Sequence, residues 1–264
     1  MRQLIALEIN FLRDCKIIVG DTELEHEKYE IEFTIDRKLS SDENRAEVSI
    51  FYISEDTKNL FSLETEIKIL AGYKKGSVGL IFSGQIDKTK WNSKDGVTVG
   101  CTENNQQWTN EIVNVSFKSG NTGFKLTDAV EKIISSSSLK YGLIDCNEFV
   151  YERGLNLQGT LKSELTKLAN VVGAKTYIKK NKIYFVRDGF SELETLISPA
   201  TGLISLDKKD EGYLITSFIN HRIEEDMILN IEGTNEQFKA KVTSVSHKFS
   251  RTRAITTIEC EVIE

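Results

Sequence analysis

Short runs in which apolar and polar residues alternate occupy residues 29–101, and a chain with this pattern folds mainly into half-buried β-strands. The runs follow one another every 10–15 residues or so, with Gly, Asn and Asp in the turns, which predicts an antiparallel barrel or sandwich. The apolar positions are Tyr29, Ile31, Phe33 and Ile35, then Val48, Ile50 and Tyr52 with Phe51 and Ile53 on the opposite face, then Ile67, Ile69 and Ala71, and then Val97, Val99 and Cys101.

The same period returns at the end of the chain. In the final run, Ile258, Cys260 and Val262 share one face, so this strand is predicted to bury one side. One further N-terminal strand is predicted over 78–86, interrupted at Gly84. The C-terminal strands are predicted over 214–219, 227–231, 238–249 and 254–263.

The middle of the chain changes to a helical period. A first helix is predicted from an apolar stripe. Thr127 or Asn121-Thr122 could cap its N-terminus, and the serine run 135–138 ends the helix. A second helix closes at Gly173, as a C-terminal glycine should. A hairpin follows over 175–186, with its turn at 179–181. The stripes are Leu126, Ala129, Val130, Ile133 and Ile134 in the first helix, and Leu161, Leu165, Leu168, Ala169 and Val172 in the second.

These patterns predict an α+β fold that is mainly β. The expected domains are a first β-barrel over 1–105, an inserted small α/β domain over 106–195 and a second β-barrel over 196–264. No Pro/Ser-rich linker separates them, so we expect the parts to pack together.

The composition describes a folded chain and excludes several classes of protein. Of the 264 residues, 39% are hydrophobic and one is proline, which argues against disordered and collagen-like chains. No apolar run approaches the ~18 residues of a membrane span, and we expect no signal peptide at the N-terminus. The net charge of −6 argues against duplex binding, so Lys74-Lys75, Lys179-Lys180 and Lys208-Lys209 are interpreted as solvated turns.

The four cysteines, Cys15, Cys101, Cys146 and Cys260, lie far apart and form no CxxC pair. This spacing argues against a zinc site and against a disulfide framework, and it indicates a chain made in a reducing cytoplasm. Cys101 and Cys260 stand inside strand patterns and are interpreted as small buried hydrophobes.

The sequence offers no catalytic, cofactor-binding or metal-binding residue that we would assign. His26 lies in a charged turn, His221 ends a strand, and the polar neighbours of His247 indicate a surface or interface position. None belongs to a metal-binding or nucleophile motif. We therefore expect no enzymatic activity and no cofactor.

Other polar and aromatic groups also favour structural interpretations. The loop Gly120-Asn121-Thr122-Gly123 lacks the ending of a phosphate loop. The acidic pairs Asp207/Asp210 and Glu224-Glu225-Asp226 are interpreted as charged turns, because acid–base hydrolysis needs carboxylates that face each other across a cleft. Trp91 and Trp108 could stack on a sugar or base, but they flank a strand and favour core or rim positions.

The order of the strand motifs resembles that of the central baseplate hub proteins of phage tails. The N-terminal succession is Asn44 to Ser54 (NRAEVSIFYIS), Asn59-Leu60-Phe61, Glu66 to Tyr73 (EIKILAGY) and Leu80 to Ile86 (LIFSGQI). It resembles the first barrel of that family, and the likeness extends over residues 28–262.

The C-terminal motifs support the same resemblance. Pro199 to Ile204 (PATGLI), Glu211 to Ser217 (EGYLITS) and Lys241 to His247 (KVTSVSH) follow in the family's order. Two positions depart from its pattern: His221 stands where proline is usual, and Lys248-Phe249 stands where Gly-Asp is common.

The resemblance implies a structural protein of the virion, assembled in the bacterial cytoplasm. Hub proteins of this family form a homotrimeric ring whose six tube-like barrels match the six-fold tail tube. Tail tube protein, central spike protein and other baseplate proteins are the implied partners, and DNA passes through the lumen without specific binding. The net charge of −6 fits an acidic lumen that repels phosphates.

Three alternatives stay open. The chain could be the hub of a contractile bacteriocin or injection particle without DNA. It could be a monomeric glycan- or receptor-binding β-domain that uses Trp91 and Trp108, or a cell-wall hydrolase with a carboxylate pair. Many hub-related chains carry an appended peptidoglycan hydrolase, whereas this sequence ends at Glu264 after its last strand, so we expect no lytic domain.

Overall fold

Twenty β-strands and four α-helices make up the part of the chain that the computed structural model describes, which is residues 12–38, 44–92, 95–103, 106–118, 123–137, 139–146, 148–179, 182–187, 194–233 and 236–263. The strands are β1 Arg13–Val19, β2 Thr22–Glu25, β3 Glu30–Lys38, β4 Arg45–Phe51, β5 Glu66–Tyr73, β6 Val78–Asn92, β7 Gly96–Thr102, β8 Ile112–Phe117, β9 Phe124–Lys125, β10 Lys140–Asp145, β11 Val150–Tyr151, β12 Leu155–Thr160, β13 Ala174–Lys179, β14 Lys182–Arg187, β15 Glu194–Ile197, β16 Leu203–Lys209, β17 Gly212–Phe218, β18 Ile228–Glu232, β19 Gln237–Phe249 and β20 Ala254–Val262. The helices are α1 Glu55–Lys58, α2 Gln106–Asn110, α3 Leu126–Ser135 and α4 Leu161–Val172, and a 3-10 turn spans Pro199–Thr201.

The chain divides into two compact units. The first combines Met1–Glu103 with Ser191–Glu264 and is called the β unit below. The second, Asn104–Phe190, contains α2, α3 and α4 and is called the inserted unit.

A single sheet of thirteen strands runs through the β unit. Its main path is β16-β17-β20-β19-β3-β4-β7-β6-β5-β1-β2. Strand β18 pairs with the first part of β19, on the edge opposite β20, and β15 lies beside β18. The pairing of β19 with β3 joins the N-terminal and C-terminal strands, and it places Phe249 opposite Phe33 with their rings stacked 5.5 Å apart. The two β regions therefore share one hydrogen-bonded sheet.

The apolar side of this sheet forms two cores. The N-terminal core gathers the alternating residues of β1, β3–β7 and also takes in Ile219, Phe249 and Ala254 from the C-terminal region. The C-terminal core lies around Ile215, Leu229 and Ile258, all completely buried. Alternation thus directs one set of side chains inward in β1, β3 and β4, as the sequence predicts for β3 and β4.

The inserted unit has a core of its own. The predicted stripes of α3 and α4 are buried against β10, β13 and β14, which form a three-stranded sheet. Helix α4 begins at an N-cap, Thr160, whose hydroxyl accepts from the backbone N–H of Ser163. It ends at Gly173, which adopts φ 63°. Both ends follow the capping chemistry expected of their residues.

The start of α3 differs from the prediction, whereas its end agrees. Lys125 occupies the N-cap without a side-chain hydrogen bond, so Thr127 lies inside the helix rather than capping it. The alternative cap, Asn121-Thr122, lies outside the described residues. The serine run does end the helix, since the hydroxyls of Ser136 and Ser137 donate to the carbonyls of Ile133 and Ile134.

Three details of the predicted strands are wrong. Tyr52 is 65% exposed rather than on the buried face, because β4 ends at Phe51 and Tyr52 turns outward at φ 58°. Gly84 does not interrupt β6, which continues to Asn92 by means of a bulge between Ile86 and Lys88. Val262 is exposed because the apolar face of β20 ends at Cys260.

The mainly β fold with its long helices in the middle is confirmed. Two closed barrels and the boundaries at 105 and 195 stay predictions. Among the described residues, no helix is long and apolar enough to cross a membrane.

Candidate functional site

A buried ionic cluster around Arg37 holds the two β regions together. Arg37 lies on the inward face of β3, where its guanidinium is 1% exposed. Its Nη1 donates to the carbonyl oxygen of Ile81 in β6 at 2.7 Å, and Nη2 donates to both carboxylate oxygens of Glu103, at 3.2 and 3.0 Å. On the other side, Nε lies 3.1 Å from Oε2 of Glu225, in the turn that follows β17.

Asn44 completes the cluster. Its Nδ2 donates to Glu103 at 2.8 Å, while its Oδ1 accepts from the backbone N–H of Lys38. The backbone N–H of Glu103 donates to the Asn44 carbonyl. Two hydrogen bonds with Asn44 therefore hold Glu103 in addition to its contact with Arg37, so its position does not depend on the ion pair alone.

The electrostatics keep Arg37 charged. Burial acts to lower the pKa of the guanidinium, but the carboxylates of Glu225, Glu103 and Glu224 outweigh it and raise that pKa above its ordinary value. Removing one partner of such a buried pair leaves the other charge without compensation, which costs about 3–5 kcal/mol. The cluster is therefore suited to holding the strands in one arrangement.

The segment Glu224-Glu225-Asp226 is a charged turn, as the sequence predicts, but two of its carboxylates are unexpectedly buried. Glu225 and Asp226 are 3% and 7% exposed. Asp226 adopts φ 68°, its N–H donates to Val242, and its Oδ1 lies 2.9 Å from Nζ of Lys241. Two basic side chains, Arg37 and Lys241, compensate the buried carboxylates and explain why the turn can lie inside the protein.

A sequence signal for this cluster exists, although sequence reasoning missed it. Arg37 continues the buried positions Ile31, Phe33 and Ile35 at the same spacing of two residues. Glu103 likewise comes two residues after Cys101, which is buried. Opposite charges at the ends of two inward-facing rows predict a buried pair, because an isolated charge there would be too costly.

No protein-family model and no curated protein matches this sequence, whereas solved structures match almost its whole length. The tail protein of Neisseria meningitidis MC58 matches 95% of this chain and 96% of its own, with TM-score 0.64 and 10% identity. The 43 kDa tail protein of prophage MuSo2 from Shewanella oneidensis matches 94% and 96%, with TM-score 0.65 and 7% identity. The chain has the fold of phage tail proteins.

A third match comes from a secretion system. A type VI secretion system component of E. coli, itself structurally similar to the T4 bacteriophage tail proteins gp27 and gp5, matches 95% of this chain and 77% of its own. The TM-score is 0.56 at 12% identity. The resemblance to phage tail proteins that the motif order indicates is therefore confirmed at the level of the fold, whereas the two barrels stay a prediction.

The three histidines of this tail-protein fold lie apart. His26 is half-buried in the turn after β2, where Nδ1 lies 3.2 Å from Asp14 and accepts from the N–H of Cys15. His221 follows β17 and is half-buried. In the part of the chain that is described, no three His, Cys, Asp or Glu side chains are grouped as a metal site would need.

The surface position predicted for His247 is wrong. Its side chain is 1% exposed, and Nδ1 lies 2.9 Å from the hydroxyl of Thr256. The bulge in β19 between Val242 and Ser244 is the reason, because it shifts the inward positions by one residue. His247 thereby joins the inward row of Val245 and Phe249.

The remaining candidates are also dispersed. Asp207 and Asp210 are exposed, as charged turn residues should be. Residues 120–122 of the glycine loop lie outside the described residues. Trp91 is 52% exposed at the end of β6, whereas Trp108 is 4% exposed in the core of the inserted unit. Trp108 therefore offers no face to a sugar, and the pair does not form a glycan platform.

The cysteines behave as small hydrophobic residues. All four are free thiols, and Cys101 and Cys260 are buried as predicted, together with Cys15. Burial raises the pKa of Cys101 to about 12 and that of Cys260 to about 11, so both are protonated at neutral pH.

A pocket of about 540 Å³ opens beside the turn that carries His26. Four basic residues line it, and three already have partners: Lys74 pairs with Glu27, Lys28 with Glu25, and Arg13 donates to the Arg251 carbonyl. Carboxylates therefore compensate two of the four basic side chains, whereas the carbonyl partner of Arg13 leaves its charge in place.

Proposed function

We propose that this protein is the structural baseplate hub of a phage or phage-like contractile tail. Three copies would form a pseudo-hexameric ring that joins the tail tube to the central spike. The observation that carries the proposal is the tail-protein fold over 95% of the chain. The strand motifs that resemble hub proteins, at residues 44–86 and 199–247, support it independently.

A hub must keep its two β regions in register while it is loaded from both faces of the ring. The continuous sheet through β3 and β19 and the buried cluster of Arg37, Glu103 and Glu225 suit this task. We assign the protein a structural role, with no catalytic one, in the virion. The division into a first barrel, an inserted α/β domain and a second barrel belongs to this proposal.

Cargo would pass through the centre of the ring without specific binding. The net charge of −6 supports a lumen that repels phosphates, since like charges interact over about 8–10 Å at physiological salt. A basic lumen in a cryo-EM map of the assembled ring would contradict this part of the proposal.

One alternative has an observation in its favour. The likeness to a type VI secretion component supports a hub in an injection particle or bacteriocin that carries no DNA. Both proposals include the ring, so the DNA content of particles purified from the producing cells distinguishes the two.

The decisive experiment is the mass of the purified protein by light scattering, followed by cryo-EM of the main species. A ring of about 90 kDa, three times the chain mass of 29.9 kDa, with a central hole is the expected result. A protein that stays monomeric at high concentration, and also when it is co-expressed with tube and spike proteins, would refute the hub.

A further inference from the structure

The segment between β4 and β5 lies along strand β6. One of its ends is hydrogen-bonded to Asp95, just before β7, and the other end is hydrogen-bonded to β6. The N–H of Ile53 donates to the carbonyl of Asp95 at 2.9 Å, and the N–H of Glu64 donates to that of Ile86 at 2.8 Å. Between them, the hydroxyl of Thr89 donates to the carbonyl of Phe61 at 3.0 Å. Residues 52–65 together with Trp91 and Asp95 are called the rim below.

Three large apolar side chains on the rim face solvent. Tyr52, Leu63 and Trp91 are 65%, 62% and 52% exposed, the highest values for large apolar residues among the described parts of the β unit. In the same segment, Ile53 and Phe61 are buried and anchor it to the N-terminal core. A single exposed apolar residue is ordinary, but two on the segment 52–65 and a third on β6, to which that segment is hydrogen-bonded, mark an interaction surface.

Backbone strain is concentrated at the same place. Among the described residues, four that are not glycine have positive φ, and three of them belong to the rim: Tyr52 at 58°, Glu64 at 66° and Asp95 at 45°. Such conformations cost about 1–3 kcal/mol each and persist where function needs them. At Tyr52 the strain turns a bulky ring into solvent at the end of β4 instead of into the core, so stability alone does not explain it.

The charges of the rim are mostly negative. Glu55 and Asp95 are 86% and 87% exposed in their side chains, and Asp56 and Glu64 are exposed too. Lys58 is the single basic residue between positions 52 and 65. Its Nζ lies 2.6 Å from Glu55 and 3.9 Å from Asp95. On β6, Lys88 and Lys90, which lie between Ile86 and Trp91, are exposed as well.

We propose that the rim binds a protein surface that presents an apolar group surrounded by Lys or Arg. The apolar group would contact Tyr52, Leu63 and Trp91, and the basic side chains would meet the carboxylates and the faces of the two rings. DNA is the wrong partner, because its phosphates would be repelled. That the partner is a neighbouring tail protein rests on the proposed function, whereas its chemistry rests on the rim alone.

Trp91 supplies a direct test. The chain has two tryptophans, so Trp108→Phe leaves Trp91 as the sole reporter. The probe is a synthetic peptide of alternating Lys and Leu, with an alternating Glu and Leu peptide as its counterpart. We expect the Lys-Leu peptide to shift Trp91 emission to shorter wavelength in a saturable, salt-sensitive way, and the Glu-Leu peptide to leave it unchanged.

Matched variants separate the rim from general acidity. Glu64→Lys with Asp95→Lys should weaken binding about tenfold or more, whereas Asp207→Lys with Asp210→Lys, which makes the same charge change elsewhere, should not. Tyr52→Gly should weaken binding without lowering the unfolding midpoint, because glycine relieves the strain. Ile204→Ser, which removes an apolar residue that is 51% exposed on β16, is the apolar control.

Two results would overturn the proposal. Equal weakening by both pairs of charge variants would mean that the peptide senses net charge alone. A concentration-dependent shift of Trp91 emission without peptide would mean that a second copy occupies the rim. The first result leaves the ring and its mass untouched, so the proposed hub would still stand or fall by cryo-EM. The second would place the rim at a contact between copies and would agree with the ring while overturning the basic partner.

Discussion

The imidazole of His221 occupies the space that a side chain on Gly79 would need. A β-carbon built on Gly79 would lie 2.1 Å from Cδ2 and 2.5 Å from Nε2 of the ring. Gly79 belongs to β6, two residues before the Ile81 carbonyl that Arg37 holds. His221 therefore adds a packing contact between the first and last β regions to the pairing of β3 with β19 and the Arg37 cluster.

We expect Gly79→Ala to destabilise the protein by about 1–3 kcal/mol, because the new methyl group must displace the ring. In a His221→Ala background the same change should cost much less, since the space is then free. Chemical denaturation of the four proteins measures the coupling. Equal costs in both backgrounds would show that strand geometry, rather than the ring, requires glycine.

Arg37→Met should lower the free energy of unfolding by about 3–5 kcal/mol, because Glu103 and Glu225 are then buried without a cation. Adding Glu103→Gln and Glu225→Gln should recover part of the loss, because amides are cheaper to bury than carboxylates. Lys209→Met, at an exposed position, is the control for the loss of a positive charge. A loss no larger than that of the control would contradict the role of the cluster.

One thiol should react in the native protein and four in the denatured one. Cys15, Cys101 and Cys260 are buried, and burial raises the pKa of each, whereas Cys146 is half-buried. A thiol reagent at pH 8 counts them, and raising the pH should speed the reaction of Cys146, whose thiolate fraction then increases. Cys146→Ser should leave no fast native thiol; rapid modification of a second cysteine would contradict the burial.

The two tryptophans should differ in their access to solvent. Trp108→Phe leaves Trp91, which is 52% exposed, and Trp91→Phe leaves Trp108, which is 4% exposed. Acrylamide should quench the first variant several-fold more strongly than the second, and its emission should lie at longer wavelength. Similar quenching of both variants would contradict the difference in exposure between Trp91 and Trp108.

Most strands and both long helices could be predicted because their periods are regular. Leu161 to Val172 forms the helix that ends at Gly173, and β7 buries Val97, Val99 and Cys101 as expected. Errors arise where a local event breaks the period. The bulge in β19 moves His247 inward, and the positive φ of Tyr52 turns its ring outward.

The candidate site was harder to predict because its parts are distant in the sequence. Arg37 and Glu103 are brought together by the pairing of β3, β4 and β7, and Glu225 comes from a distant turn beside β19. Periodicity within one strand does not indicate such pairing between strands. Charge patterning was misleading for the same reason. Three consecutive acidic residues normally form a solvated turn, and the compensating Arg37 lies nearly two hundred residues earlier.

The pairing of β3 with β19 also determines when the β unit can finish folding. Phe33 and Phe249 are more than two hundred residues apart, so at about 5–20 residues per second the ribosome needs roughly 10–40 s to deliver the partner of an already finished β3. During that interval the edge of β3 is open to other chains. During synthesis, aggregation therefore competes with completion of the sheet, and we expect the β unit to fold slowly and with the help of chaperones.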